Sequence, residues 1–153
     1  MTLETIFDRL TAIDHHIQTL LGDIGMDNDR EPWDTFAPNR TDPDEMFLYN
    51  ELRQMLVPFY RLHQKLAYLQ LPCTETHVLK RFPNGRYGYD GQPFTEGHTF
   101  SCGCPVEALI PDEDGNLCWI STRIEHNGTD YYLYGCNSIP LNGLTIRERR
   151  HTA

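Results

Sequence analysis

Seven apolar residues open the chain at intervals of 3, 4, 3, 4, 3 and 4: Leu3, Ile6, Leu10, Ile13, Ile17, Leu20 and Ile24. A second run at 4, 3, 4, 3, 4 and 3 follows at Leu48, Leu52, Met55, Phe59, Leu62, Leu66 and Leu69. Alternating steps of three and four keep side chains on one stripe of an α-helix, the pattern of helices that pack on other helices. Gly25 suits the end of the first helix, and Asp42, Pro43 and Glu45 suit the start of the second. Pro58 lies inside the second run and removes a backbone donor, so a kink or a break into two helices is expected there. Two such seams on one short chain predict an antiparallel helical hairpin, and the same seams would serve a homodimer.

Between the seams lies "MDNDREPWDTFAPNRT", which has no period and many breakers, and reads as a long loop. From about residue 76 the pattern changes to short β-branched and aromatic segments such as "HVLKRF", "PVEALI", "LCWISTRIEH" and "LTIRER". Turn-rich links separate them, with Asn127–Gly128 marking a hairpin and Asp90–Gly91 a second tight turn. The expected fold is therefore α+β. An acidic helical hairpin with a long inter-helix loop spans 1–72, and a small, strongly bent, SH3-like antiparallel β-barrel spans 76–150.

The second region also carries "NGRYGYDG" at 84–91, "TEGHTFSCGCPVEALI" at 95–110, "WISTRIEH" at 119–126, and "YYLYG" with "LNGLTIR" within 131–147. These stretches resemble a small Firmicutes domain of unknown function met in genes of phages and integrative elements. The resemblance covers about half the chain and rests on glycine turns and strand residues. It implies a β-rich fold and a mobile-element setting, and it carries over no active-site residue.

Charge narrows the function classes. Residues 1–55 hold twelve Asp and Glu against four Lys and Arg, a balance of −8, while residues 56–153 hold ten against nine, a balance of −1. An acidic front repels nucleic acid and suits a basic protein partner. Asp27, Asp29, Glu31 and Asp34 would carry that charge, with Trp33 and Phe36 as aromatic anchors. The competing reading is a solvated loop whose aromatics tuck against the hairpin. No apolar run reaches the ~18–20 residues of a membrane span, and Asp8, Asp14 and two histidines interrupt the first apolar stretch. The expected compartment is the cytoplasm. Five cysteines without a secretion signal argue against a disulfide framework.

The candidate chemistry centres on "FSCGC", residues 100–104. Cys102 and Cys104 could offer two thiolates to zinc if Gly103 bends the chain, with His98 and Cys136 completing four ligands. On a straight strand residues two apart stand about 7 Å from each other, too far without the bend. The C-x-x-C knuckle is missing, so the competing reading is two small buried thiols and no cofactor. A thiol nucleophile lacks an orienting third group. "DEDG" at 112–115 lacks the spaced ligands of a calcium loop and reads as a hairpin turn. Lys80, Arg81, Arg86, Arg147, Arg149 and Arg150, with tyrosines nearby, could make a nucleic-acid surface on the barrel. The reading favoured by these observations is a non-enzymatic binding protein: an acidic inhibitor of a nucleic-acid-handling complex, of the anti-CRISPR kind. The alternatives are the nucleic-acid adapter and the zinc-stabilised protein.

Overall fold

A computed structural model describes residues 1–26, 37–90 and 97–150. The chain divides into two compact units, 1–70 and 71–153. The first contains two helices, α1 (Leu3–Asp23) and α2 (Pro43–Gln70). The second contains eight strands: β1 (His77–Val78), β2 (Lys80–Arg81), β3 (Tyr87–Tyr89), β4 (His98–Thr99), β5 (Cys104–Pro111), β6 (Leu117–His126), β7 (Tyr131–Leu133) and β8 (Thr145–Arg147). The α+β architecture is that expected, two helices followed by antiparallel sheet curled into a half-barrel.

Local chemistry explains both ends of α1. The Thr2 hydroxyl accepts a hydrogen bond from the Thr5 N–H at 3.1 Å, which satisfies one of the free donors of the first turn. At the other end the Met26 N–H reaches the Leu21 carbonyl at 2.7 Å, and the Gly25 N–H reaches that of Gly22 at 3.1 Å. These are the paired bonds of a Schellman motif, and Gly25 takes the left-handed conformation the motif needs, with φ of 74°. The Asp42 carboxylate caps α2 by accepting from the N–H groups of Asp44 and Glu45. Pro58 does not break α2, which runs on as one element to Gln70. A proline removes a single ladder bond, and the turns on either side carry the helix past it.

The helices run antiparallel, since Asp14 meets His63 at 3.0 Å while Ile17 and Leu21 pack with Leu56, Tyr60 and Leu62. The seam expected from the sequence is only partly covered. Ile17 and Leu66 are buried, but Leu3, Ile6, Ile13, Leu20, Leu48, Leu52, Met55 and Phe59 are exposed. The contacts fall mainly on a neighbouring stripe, where Asp14, Leu21, Leu56 and Tyr60 lie. The reason is geometric. Two cylinders touch along one line, so a broad apolar stripe on each leaves its margin uncovered.

The β unit is better enclosed. Its larger sheet has the order β1-β8-β5-β6-β7 and its smaller sheet β2-β3-β4. The β5–β6 hairpin is the longest pairing, from Cys104 opposite Ile124 to Pro111 opposite Leu117. β8 lies on the other side of β5, with Ile146 opposite Ala108. Val106, Ala108 and Ile110 alternate inward along β5, as a period of two requires. With Leu79, Tyr87, Tyr89, Phe100, Ile124, Leu133, Leu141, Leu144 and Ile146 they form one core. Gly88 is needed where β3 meets β4, because a Cβ there would collide with the His98 carbonyl and stand 2.7 Å from the Phe82 ring. The expected turn at 112–115 is present: the Asp112 carboxylate accepts from the N–H groups of Asp114 and Asn116, so it is spent on the turn.

Candidate functional site

The bend that the zinc reading requires at "FSCGC" is present, and it separates the two thiols. Gly103 has φ of 86°, its N–H donates to the Ile124 carbonyl at 2.8 Å, and the Cys104 N–H returns to the Ser101 carbonyl at 3.2 Å. Cys102 is thereby left exposed at the tip, whereas Cys104 turns back as the first residue of β5 and packs against the core. Cys104 Sγ stands 3.4 Å from the Ser101 hydroxyl.

Cys102 Sγ donates to Glu125 Oε2 at 2.6 Å, and Arg123 Nε donates to the other oxygen of the same carboxylate. The Arg123 guanidinium lies 3.6 Å from the centre of the Tyr134 ring. The hydrogen bond from the Cys102 thiol, and then that from Arg123, hold the Glu125 carboxyl below its ordinary value.

The other candidate metal ligands go elsewhere. The His98 ring stacks with Tyr89 at 4.9 Å and its Nε2 stands 3.6 Å from Glu148 Oε1. Cys136 packs against the core after β7. All five cysteines are free thiols. Among the described residues, no group of three or more His, Cys, Asp or Glu side chains is placed to hold a metal ion. The binding residues expected in the inter-helix segment, Asp27, Asp29, Glu31, Trp33, Asp34 and Phe36, lie outside the described residues.

Two polar clusters in the β unit were not anticipated from sequence. In the first, Glu107 is 4% exposed, and each of its oxygens accepts from one arginine: Oε2 from Arg147 Nε and Oε1 from Arg149 Nε, both at 2.5 Å. Burial by itself would raise the Glu107 carboxyl, but the hydrogen bonds and charges of Arg149 and Arg147 outweigh it and leave the group below its ordinary value. Arg147 also stacks over Trp119 at 4.3 Å, and Arg149 Nη1 donates to the Leu71 carbonyl at 3.1 Å. The sequence held a signal for this cluster: an acid inside the apolar stretch "PVEALI", and two arginines two residues apart on a strand that could face it.

In the second cluster the Tyr89 ring stacks with both His77, at 3.8 Å, and His98. Its hydroxyl donates to Glu148 Oε2 at 2.6 Å. Burial first, and then the Glu148 carboxylate, raise the Tyr89 hydroxyl well above its ordinary value, so it remains a donor. The four side chains come from β1, β3, β4 and the residue that follows β8, a convergence that strand pairing creates.

The expected basic aromatic surface is taken up by these contacts only in part: Arg147 and Arg149 are bound to Glu107, and Tyr87 and Tyr89 are core residues. Lys80, Arg81 and Arg86 stay on the exposed surface, with Arg81 3.7 Å from Asp130.

Residues 79–148 match the model of a domain of unknown function, DUF5348. No curated protein and no solved structure matches the chain. Among the described residues, no helix is long and apolar enough to cross a membrane.

Proposed function

We propose that the chain is a non-enzymatic protein-binding module that presents its acidic helical half to a basic surface of a partner. The observation that carries this reading is the division of charge. The first 55 residues balance at −8, while Arg123, Arg147 and Arg149 of the β unit neutralise carboxylates of their own unit. Such a molecule repels nucleic acid and competes with it for cationic protein surfaces. Asp27, Asp29, Glu31 and Asp34 supply the charge in this reading, and Trp33 and Phe36 the apolar anchors. An inhibitor of a nucleic-acid-handling complex, acting in a phage or mobile-element setting as anti-CRISPR proteins do, has this chemistry.

The test is a comparison of two ligands. Random-sequence duplex DNA should not bind at any salt concentration. A protein partner captured from the host should bind with an association rate that falls as salt rises. Replacing Asp27, Asp29, Glu31 and Asp34 by their amides should slow that association and flatten its salt dependence. Salt-dependent binding to random DNA, or an unchanged on-rate in the amide variant, sinks the proposal.

A further inference from the structure

We infer that the exposed apolar face of the helical hairpin is the docking surface for a second copy of this chain, and that the two hairpins close into a four-helix bundle. Ile13 and Leu20 on α1 and Leu48, Leu52, Met55 and Phe59 on α2 are each between 42 and 56% exposed. On α2 they recur at intervals of 4, 3 and 4, and at 3.6 residues per turn they fall within an arc of about 60°.

Both stripes lie on the same side of the hairpin. Ile13 precedes Asp14 by one residue, and Leu20 precedes Leu21. Met55 precedes Leu56, and Phe59 precedes Tyr60. The second member of each pair is a residue of the α1–α2 contact. One step back along a helix turns the side chain by about 100°. Because the helices are antiparallel, the same step back on each rotates both stripes toward one face. The result is one apolar face made of two stripes, one on each helix.

A second copy is the occupant that this face itself specifies. It brings an identical pair of stripes with matching 3–4 spacing, and a two-fold axis makes the contact self-complementary. The size is also right. At about 200 Å² per fully exposed large side chain, these residues with Ile6 offer roughly 650 Å² per protomer before polar neighbours are counted, against the ~800 Å² that each partner contributes to a standard interface. Four helices around a shared core are the arrangement in which a hairpin buries both its inner line and its outer stripe.

Sedimentation equilibrium of the full chain tests the inference. The expected mass is twice the 17.8 kDa of one chain, and a single-chain mass across the concentration range overturns it. Met55→Gln with Phe59→Gln should give a monomer that keeps its helical circular dichroism, and a dimer no weaker than wild type in that variant also overturns it. Leu117→Gln removes an apolar side chain that is 66% exposed in the β unit, and should leave the dimer intact. A monomeric Leu117→Gln places the interface elsewhere and defeats the proposal. If the double variant does not fold, wild-type denaturation decides. A dimer unfolds at higher denaturant as protein concentration rises, and a concentration-independent midpoint counts against it.

Discussion

The helical unit and the β unit treat their apolar residues in opposite ways. In the β unit, side chains from both sheets and from the loops after β1, β4 and β7 converge on one core, where Leu79, Val106, Ala108, Ile124, Leu133 and Ile146 have no exposed surface. In the helical unit, the buried cluster is Ile17, Leu21 and Met26, and the regular 3–4 stripe lies largely in the open. A curled sheet can enclose a volume by itself, but two helices share only a line of contact. Regular spacing therefore shows that a face is built for packing, without showing that the same chain supplies what packs on it.

The contrast is most exposed to failure in the cost of core truncation. Phe100→Ala removes a ring that is 1% exposed and should cost about 3–5 kcal/mol in chemical denaturation. Leu52→Ala, at 45% exposure, should cost less than about 1 kcal/mol when measured at concentrations low enough for a single chain. Equal costs for the two would mean that the helical stripe is an internal core after all.

The polar interior of the β unit sharpens the comparison at the next level. Glu107→Gln keeps the shape of the side chain but leaves two arginines facing a neutral amide, and should cost about 2–3 kcal/mol at neutral pH. The sign with pH follows from the depressed Glu107 carboxyl. A group whose value is lower in the folded state stabilises fully above the ordinary carboxylate value of about 4.3, and the benefit fades as pH falls through the depressed folded value. The gap between wild type and variant should thus be widest near neutrality and close in acid. A gap that stays constant down to pH ~2 would show that the carboxylate charge contributes nothing.

The smallest effect is expected at the "FSCGC" turn. Cys102→Ser with Cys104→Ser should cost no more than about 1–2 kcal/mol, because Cys102 is exposed and its neighbour is only half-buried. Metal analysis of wild-type protein purified without added zinc completes the test. One equivalent of zinc in the wild type, lost together with the fold in the double variant, would establish the metal reading.

Much of the backbone was legible from local chemistry. The cap at Asp42, the stop at Gly25 and the turn at Asp112 each depend on a few consecutive residues whose preferences agree. "LCWISTRIEH" became β6 from end to end for the same reason. The candidate site was far less legible. Cys102 and Cys104 are close in sequence, yet the turn sends one to Glu125 on β6 and the other against the core. Glu107 finds its arginines forty and forty-two residues away, and Tyr89 finds Glu148 fifty-nine residues away.

By itself, the sequence determined that two apolar-striped helices precede a run of short strands, and that the negative charge is gathered in the first third. Spacing, caps, turn residues and composition are properties of adjacent positions, and they survive any arrangement of the elements in space. The tertiary structure alone decided which stripe of each helix is covered, which arginines are already neutralised, and that His77, Tyr89, His98 and Glu148 meet. Those outcomes depend on strand pairing and on the line along which two helices touch. Both are fixed by the packing of distant segments, for which no local pattern in the chain codes.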